Sequence, residues 1–564
     1  MKKRARKLTA LILAGVLTAA MLGGCGSSDS SDTTSDDTED TTEEVAEEAE
    51  EEASSGQAEV DTSRTTTDDS DEKYEKIVVA LSQDPTDLEP IQMTSTSKPY
   101  FYWSVYECLF DFEDGDYVPA LAESYTIVDD LHYDVTIRDC IYDSDGNHIT
   151  ADDVVYSYEW MISTGETSQM EAYESIEKVD DYTVRFTWAE GTDATGVAVL
   201  EGPFCRVAIF SQTAFEEHNF ATDPVATGPY IITEFTSGSK LILEARDDYW
   251  ASDEILATMT RTHQANVQTI EYDIITEAAQ QVIALQTGSI DFAIGVSDEN
   301  ISDFQEGGSY SENYNAFAIQ SNLYYRLETN LSEDSLLSDE NLRLAIFYAL
   351  DNEAIATAVG ALEPAYAVAS DWYSDYCYEW EEMETYINTY DVELAKEYLE
   401  KSDYNGETLI LCGNNSDQIK NIMVFIQALL TNIGINVEVE ATESSITIEK
   451  RHSTDTWDMS VISTGGSTII GSYNSYLNNK KSDNGLTSQF LEDDTLQEMY
   501  ELCKTIDGHT DENMTALYEY CLENAYIYTI GSITSNTVYS TDIAEIYYRE
   551  GEYETMGGST FYLD

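Results

Sequence analysis

The clearest alternation of hydrophobic and polar positions lies between residues 119 and 161. Apolar side chains at every second position from Tyr133 to Ile137 predict a half-buried strand. Asp145-Gly146 predicts a tight turn, because glycine adopts positive φ without steric cost. Over residues 154–161, apolar side chains recur at helical spacing. This part of the chain is therefore predicted to form a strand, a turn and a helix.

Helix starts are predicted from capping residues. Thr150 opens a sequence that resembles a capping box with Asp153 in place of Glu, so its hydroxyl is expected to accept a hydrogen bond from an unpaired backbone N–H. Ser338 is predicted to cap a second helix, because two acids follow it, and Asp351 is predicted to cap a third. Arg343 is expected to form a solvated ion pair or one at the rim of the core.

Other stretches carry equally local signals. Residues 76–81 form an apolar run typical of a buried strand, and Ser237-Gly238 predicts a hairpin turn between two alternating segments. A helix is predicted to end at Gly288. Apolar residues at helical spacing over 422–433 precede an alternating segment at 435–439, which predicts part of a β-α-β unit.

The first 25 residues have the features of an export signal. Five Lys and Arg side chains precede the apolar run 8–22, which is shorter than the roughly 20 residues that span a bilayer. Leu22-Gly23-Gly24-Cys25 is similar to a bacterial lipobox, which implies that Cys25 is lipidated and becomes the first residue of the mature chain. Two acyl chains at Cys25 would suffice for stable anchoring in the membrane.

Residues 26–72 consist almost entirely of Ser, Thr, Asp and Glu, with Arg64 as the one basic residue. Such a segment buries too little apolar surface to offset the entropy of ordering, so it is predicted to be disordered. We interpret it as a tether that holds the folded part away from the membrane. An acidic interaction tail is the alternative.

The whole chain is strongly acidic, with 109 Asp and Glu against 27 Lys and Arg and a formal net charge of -82. A polyanion repels nucleic acid and anionic lipid, so no nucleic-acid partner is expected. Cationic ligands would be attracted, but a solvated acidic surface explains the charge equally well. The eight cysteines form no C-x-x-C pair, which argues against a zinc ribbon or a redox motif.

No motif of enzyme chemistry stands out. The six His residues include no H-E-x-x-H motif, and the G-x-S-x-G, P-loop and G-x-G-x-x-G motifs are absent. Among 109 acids, inspection marks out no carboxylate pair of the glycosidase type, although it does not exclude one. We therefore expect no enzyme activity, no catalytic residue, no metal site and no cofactor.

Several longer motifs carry a family resemblance. They are PALAESY at 119–125, IRDCI at 137–141 with Cys140 where glycine is usual, DGNHITADDVVYS at 145–157, TGPY at 227–230 and RLAIFYALD at 343–351. Together they resemble the signature of the extracytoplasmic solute-binding proteins of the peptide/nickel family, which serve ATP-binding-cassette importers. The resemblance covers about residues 75–530.

The resemblance implies an α/β fold of the two-lobed periplasmic-binding-protein type, with a discontinuous first lobe and a hinge. Such a protein traps its ligand between the lobes by a hinge motion. The expected divisions are a lipoprotein signal peptide at 1–25, a disordered tether at 26–72, a first lobe at 73–98, 205–320 and 525–564, a subdomain of that lobe at 99–204, and a second lobe at 321–524.

Family position and the density of aromatic residues also indicate a binding site. The expected ligand-binding residues are Gln83, Asp84, Tyr100, Trp103, Trp372, Tyr373, Thr464, Gly465 and Gly466. Aromatic rings suit a cleft because they offer a large apolar face and, in Tyr and Trp, a polar tip. A glycine pair lets the backbone approach a ligand closely.

A short peptide is the first expectation for the ligand. Peptide-binding relatives hold the α-amine with an Asp shortly after the strand that begins at Trp457, but residues 459–472 contain no acid. Either another acid, such as Asp84 or Asp371, takes that role, or the ligand lacks a free amine, as an oligosaccharide does. Nickel is disfavoured by the sparse His residues. A secreted hydrolase or a sensor receptor is the alternative of a different class.

The expected partners follow from the same resemblance. They are a peptide or other small molecule, the permease subunits of the importer, and the membrane through the N-terminal lipid. The protein is expected to be a monomer on the outer face of the bacterial cell membrane.

Overall fold

A computed structural model of the chain describes residues 57–58, 60–85, 87–91, 101–113, 116–129, 131–164, 173–189, 204–360, 362–365, 385–465, 470, 489–505, 508–549 and 553–563. The strands in these ranges are β1 Thr65–Thr66, β2 Tyr74–Leu81, β3 Phe110–Glu113, β4 Asp116–Pro119, β5 Ala122–Asp129, β6 His132–Ile137, β7 Tyr173–Lys178, β8 Thr183–Trp188, β9 Tyr230–Thr236, β10 Lys240–Ala245, β11 Val267–Ile274, β12 Phe292–Ile294, β13 Tyr314–Thr329, β14 Leu362–Pro364, β15 Thr408–Asn414, β16 Asn436–Thr442, β17 Met459–Gly465, β18 Thr529–Ser540, β19 Ile543–Glu545, β20 Tyr548–Arg549, β21 Tyr553–Glu554 and β22 Thr560–Leu563.

The α-helices in the same ranges are α1 Tyr102–Val105, α2 Ala151–Thr164, α3 Gln212–Glu217, α4 Asp253–Leu256, α5 Ala278–Thr287, α6 Asp298–Ile301, α7 Glu340–Tyr348, α8 Asn352–Val359, α9 Val392–Lys401, α10 Asp417–Ile433, α11 Ser444–Arg451, α12 Asp494–Cys503 and α13 Asp511–Glu523. Short 3-10 turns occur at Thr67–Asp69, Arg261–His263, Leu336–Ser338 and Met556–Gly558.

One large sheet organises these elements. Its strands are hydrogen-bonded in the order β16-β15-β17-β13-β18-β12-β2-β11-β10-β9, and β14 also pairs with β18. The long strands β13 and β18 lie in the middle and pair from Tyr314 and Ser540 at one end to Arg326 and Thr529 at the other. We call the part with β2 and β9–β12 the first lobe, and the part with β15–β17 the second lobe. The two lobes thus share one sheet through β13 and β18.

Each part of the fold has its own apolar core. Buried side chains of the first lobe, such as Val79 and Ile270, form one core. Those of the second lobe, such as Leu411 and Ile426, form another. A separate four-stranded sheet, in the order β5-β6-β8-β7, packs with α2 around a third core that includes Tyr158. Burial of such side chains is worth roughly 1.5–3 kcal/mol each, which makes these cores the main source of stability.

The strand, turn and helix predicted between residues 132 and 161 are present, but the helix starts differently from the prediction. The Thr150 hydroxyl donates to Oδ2 of Asp153 at 3.0 Å instead of accepting a backbone hydrogen bond. The Thr150 N–H donates to the same oxygen at 2.9 Å. The Asp153 carboxylate is therefore the acceptor at this helix start, because a negative charge is favoured near a helix N-terminus.

Of the two other predicted caps, one is confirmed and one is wrong. Asp351 caps α8 as predicted, since its carboxylate accepts from the Ala354 N–H at 2.9 Å. The prediction for Ser338 is wrong, because α7 is capped by Asp339, which accepts from the Asn341 N–H at 2.9 Å. Ser338 instead ends the preceding 3-10 turn. The Asp339 carboxylate is the better cap than the Ser338 hydroxyl, because its full charge interacts with the helix dipole as well as with the N–H group.

The prediction of a solvated or core-rim ion pair for Arg343 is wrong. Its side chain is 4% exposed, and its guanidinium donates to four backbone carbonyls at 2.7–3.1 Å. Those carbonyls belong to Leu337, Ser338, Asn524 and Ala525. They lie at the end of a 3-10 turn and just beyond α13, where backbone acceptors lack partners within the helix.

The β-α-β unit predicted around residues 422–439 is present. Strands β15 and β16 are parallel and in register from Thr408 with Asn436 to Asn414 with Thr442. Helix α10 connects them and buries the predicted apolar stripe. It ends at Gly434, whose φ of 97° is the left-handed conformation that glycine adopts most readily.

The predicted tether extends too far into the folded part. Strand β1 pairs antiparallel with β22 and so completes a three-stranded sheet with β19. Thr66 and Thr67 are buried at 6% and 5% exposure. The prediction that residues up to 72 are disordered is therefore wrong for its last part. Residues 26–56 and Cys25 lie outside the described residues.

Four charged side chains from distant parts of the sequence meet inside the first lobe. We call Glu107, Asp111, His263 and Arg549 the buried charge cluster; none is more than 3% exposed. His263 Nδ1 lies 2.6 Å from a Glu107 oxygen, and its Nε2 lies 2.7 Å from an Asp111 oxygen. The Arg549 Nε donates to the other Asp111 oxygen at 3.3 Å. The cluster thus joins β3, the Arg261–His263 turn and β20.

The geometry also decides the charge of His263. Both ring nitrogens face carboxylate oxygens, which only accept, so both nitrogens carry a proton. Burial alone would lower the pKa of His263, but the charge of Asp111 and the hydrogen bonds to Asp111 and Glu107 raise it to about 9. For Asp111, burial acts to raise the pKa, and the charges of His263 and Arg549 overcome it and lower the pKa well below its usual value.

Candidate functional site

The first lobe gathers the carboxyl ends of its parallel strands at one edge. β2 and β11 are parallel and in register up to Leu81 with Ile274. β12 is parallel to β2 on the other side, with Phe292 opposite Val79. The chain segments that follow these strands therefore lie together at the edge toward which β13 runs. In sheets of this kind, ligands bind outside the carboxyl ends of the strands.

The second lobe presents a matching edge. β15 runs parallel to both β16 and β17. β17 runs antiparallel to β13, so that its last residue, Gly465, lies opposite Leu323, while its first, Met459, lies opposite Thr329. The carboxyl ends of β15–β17 therefore point back toward the first lobe. We call the region between the two sets of carboxyl ends the interlobe region, and it is the candidate binding site.

The strands that cross the interlobe region are irregular there. Gln320 of β13 pairs with Thr534 of β18, but the next pair is Tyr324 with Ser532, so β13 has extra residues at this point. The Gln320 side-chain amide donates to the Ser532 hydroxyl at 2.5 Å. A bulge of this kind bends a strand and interrupts its ladder of hydrogen bonds. The connection between the lobes is therefore bent at the level of the candidate site.

Two predicted site residues lie on the first-lobe edge. Gln83 is exposed and Asp84 is half-buried, and both follow the end of β2. One Asp84 oxygen accepts from the Ser237 hydroxyl at 2.7 Å. Ser237 belongs to the predicted turn between β9 and β10, in which Gly238 has a φ of 70°. The hairpin turn thus fixes one side of the Asp84 carboxylate.

Two more predicted site residues lie on the second-lobe edge. Thr464 and Gly465 end β17, and Thr464 lies opposite Tyr324 of β13. The Thr464 side chain is half-buried, and Ser463 beside it is exposed. Nearby, Ser416 caps α10 at the carboxyl end of β15. The second lobe therefore contributes hydroxyl and backbone groups at this edge.

Trp103 occupies a different position from these four residues. It lies in α1, is 2% exposed and belongs to the first-lobe core. The Arg549 guanidinium stacks on its ring, 3.8 Å from the ring centroid. In this structure Trp103 thus packs beside the buried charge cluster. Tyr100, Trp372, Tyr373 and Gly466, as well as Asp371, lie outside the described residues.

The sequence did not indicate Gln320 and Ser532, which lie at the bulge where β13 and β18 run between the lobes. Both lie inside long strands, and only the register between β13 and β18 brings them together. Within the described ranges, no group of His, Cys, Asp or Glu side chains is placed to hold a metal ion. Among the helices of those ranges, none combines the length and hydrophobicity that crossing a membrane requires.

Comparison with known sequences identifies similarity to one family. Residues 116–485 match the family described as bacterial extracellular solute-binding proteins, family 5 Middle. The oligopeptide-binding protein AppA of Bacillus subtilis (strain 168) is 28% identical over 386 residues. That match covers 62% of this chain and 65% of AppA, which is slightly less than two thirds of the relative.

Solved structures of similar proteins share the fold. HbpA2 from Haemophilus parasuis matches with a TM-score of 0.73 and 18% identity, covering 87% of this chain and all of that one. AppA from Bacillus subtilis in complex with a nonapeptide matches with a TM-score of 0.61 and 20% identity, covering 87% of this chain and all of AppA. These matches confirm the predicted two-lobed α/β fold with a discontinuous first lobe. Because the family model covers well over half of the sequence, the chain belongs to family 5 of the bacterial extracellular solute-binding proteins, a family of binding proteins rather than enzymes.

Proposed function

We propose that the chain is the substrate-binding component of an ATP-binding-cassette importer, which receives a short peptide in the interlobe region and delivers it to the permease. The observation that carries this proposal is the arrangement of the two lobes. The carboxyl ends of the parallel strands in one lobe face those in the other, and the paired strands β13 and β18 run between the lobes at this level. Gln83 and Asp84 lie on the first-lobe side, and Thr464 and Gly465 lie on the second-lobe side. The name of the relative AppA supports a peptide as the ligand.

Closure of the lobes is the proposed mechanism. A ligand that contacts both edges binds the closed state better than the open one and so shifts the equilibrium toward closure. The bulge between Gln320 and Tyr324 lies where β13 and β18 pass between the lobes, which makes it our candidate hinge. In this proposal residues 73–98, 205–320 and 525–564 form the first lobe, residues 99–204 its subdomain and residues 321–524 the second lobe.

The lack of an acid in residues 459–472 bears on the chemistry of the ligand's amino end. A peptide α-amine is a cation, and its burial without a partner is costly. Residues 459–472 contain no acid, and Asp84 is a described acid on the first-lobe edge. We therefore propose a ligand whose amino end makes only weak charge interactions. The same observation favours a second candidate, an oligosaccharide, which needs no carboxylate and stacks on aromatic faces.

Native mass spectrometry and calorimetry of the purified mature chain test the proposal together. We expect a bound small molecule that is not turned over, and affinities for trialanine and N-acetyl-trialanine that differ by less than about tenfold, or ~1.4 kcal/mol. The reason is that no acid in 459–472 is available to distinguish an ammonium from an amide. Asp84→Asn serves as the matched variant, since it removes the charge and keeps the shape.

Three other results would change the proposed ligand or the proposed function. A loss of more than tenfold on acetylation means that a carboxylate does hold the amine, and Asp84→Asn then shows whether it is Asp84. A bound glycan and no affinity for either peptide would favour the oligosaccharide. Consumption of the bound molecule would replace the proposal with a hydrolase.

We also propose that the protein is anchored to the outer face of the bacterial cell membrane through a lipid on Cys25 and acts there as a monomer. The support is the lipobox-like Leu22-Gly23-Gly24-Cys25 after a basic and apolar leader. Cells given a labelled lipid precursor should label the wild-type chain and leave Cys25→Ser unlabelled. Equal labelling of the two chains would reject Cys25 as the anchor.

A further inference from the structure

Residues 60–69, which we call the strap, dock on the C-terminal strand β22. Thr65 and Thr66 pair antiparallel with Leu563 and Tyr562. The Asp61 N–H donates to the Tyr562 hydroxyl at 2.5 Å. The Phe561 N–H in turn donates to the Thr67 hydroxyl at 3.1 Å. The strap is therefore held on β22 through backbone and side-chain hydrogen bonds at Asp61 and over Thr65–Thr67.

A single basic side chain adds a further contact. Arg64 is the only Lys or Arg between residues 26 and 72, and its guanidinium stacks on the Tyr562 ring, 3.9 Å from the ring centroid. Such cation–π contacts are attractive, and they strengthen when the charged group is partly removed from water. Arg64 is half-buried in this position.

The far end of the strap is tied to the Arg261–His263 turn and the residues after it. One Asp68 oxygen accepts from the Thr560 hydroxyl at 2.9 Å. The Asn266 side-chain amide donates to the other at 3.4 Å, and the Arg261 guanidinium lies 3.6 Å from the Asp68 carboxylate. Arg261 also donates to the Gly558 carbonyl at 2.9 Å. Asp68 thus joins the strap to two segments of the first lobe, residues 261–266 and β22.

The strap lies at the edge of the first lobe that is opposite the interlobe region. Tyr74 begins β2; its ring stacks on Phe561 at 4.9 Å, and its hydroxyl donates to Asp542 at 3.1 Å. Asn266, which binds Asp68, directly precedes β11. These residues mark the amino ends of β2 and β11, whereas the carboxyl ends face the second lobe.

We propose that the strap is a fixed exit point for the part of the predicted tether that precedes residue 60. The strap would hold this end of the tether on the first lobe, at the edge farthest from the interlobe region. A pull on the tether then acts on the pairing of β1 with β22 and not on β2, which lies inside the large sheet. The described contacts of the strap are with the first lobe, so the second lobe moves relative to this exit point on closure. This inference rests on the proposed function, because a tether and a closing cleft give the exit point its purpose.

Tryptic digestion of the native mature chain tests the strap directly, because Arg64 is the one cleavage site in this part of the sequence. Cleavage after Arg64 is expected to be at least ~10-fold slower than in an isolated peptide of residues 58–72, since proteolysis follows the population of the opened form. The double variant Thr67→Ala/Asp68→Ala should restore rapid cleavage, because it removes the acceptors for Phe561, Thr560 and Asn266 while keeping Arg64.

Two controls make the result specific. The melting temperature of the double variant shows whether the core is intact, and Arg64→Lys keeps a tryptic site at the same position. Equal cleavage rates in the native chain and the free peptide would overturn the proposal, as would unchanged protection in the double variant. The digestion involves no ligand, so its failure would leave the proposed function standing, whereas a failure of ligand binding would leave the docking of the strap intact.

Discussion

Asp111→Asn is expected to lower the free energy of unfolding by about 3–5 kcal/mol, the cost of breaking a buried ion pair. Asp111 is 3% exposed, and its two oxygens face His263 and Arg549. The substitution keeps the shape of the side chain, so packing changes little. It leaves two buried cations with the single carboxylate of Glu107. Urea unfolding of the wild type and the variant measures the difference.

The same substitution at Asp134 is the matched control. Asp134 pairs with Arg185 through two hydrogen bonds of 2.7 Å, so its geometry is at least as good as that of Asp111. The two side chains are 21% and 37% exposed, however, and water screens the pair. Asp134→Asn should therefore cost less than about 1 kcal/mol. Equal costs at the two sites would show that burial does not set the strength of the Asp111 contacts.

Raising the pH from 6.5 to 9 is expected to lower the free energy of unfolding by up to about 3 kcal/mol through His263 alone. The pKa of His263 is 6.5 in the unfolded chain and about 9 in the folded one, because Asp111 and Glu107 outweigh the effect of burial. The folded protein therefore keeps a proton that the unfolded chain loses. The resulting stabilisation is complete below pH 6.5 and disappears as the pH rises through 9.

Comparison with His263→Gln isolates this effect from other titrating groups. His218, for example, also has a raised pKa because of its contacts with Asp223 and Asp145, but it is unchanged in the variant. Unfolding curves recorded between pH 6 and 10 should converge for the two proteins at the alkaline end. Parallel curves would mean that His263 is neutral. In acid the sign reverses for Asp111: because folding lowers its pKa, its stabilisation is complete above about pH 3.8 and is lost progressively as the pH falls below that value.

The parts of the fold that the sequence predicts well are those governed by local periodicity. The apolar stripe over residues 422–433 and the alternation after Gly434 are sufficient to predict α10 and β16. The turn at Gly238 is equally local, since the positive φ there suits glycine. In each case, neighbours in the sequence decide the outcome.

The errors have the opposite cause. Arg343 follows helical spacing, but two of its four carbonyl partners belong to residues 524 and 525, far along the chain. His263 and Arg549 meet Asp111 only after the first lobe has assembled. The strap contains no apolar stripe, and its two-residue strand exists only because β22 offers an edge. No pattern within a short window indicates such contacts.

The candidate site is intermediate between these cases. Motif position led to Gln83, Asp84, Thr464 and Gly465, and all four lie where the carboxyl ends of strands face the other lobe. Gln320 and Ser532 depend on the register between two strands more than 200 residues apart, which the sequence does not reveal.

The sheet shared by the two lobes bears on how the protein can be divided. A fragment truncated before β18 would leave one edge of β13 and one edge of β12 without the partner that each has in the sheet. Unpaired strand edges of this length are templates for pairing with other chains, and they lead to aggregation. Truncation before β18 is thus a poor route to a smaller protein, and a chain interrupted during synthesis at the same point would expose the same edges.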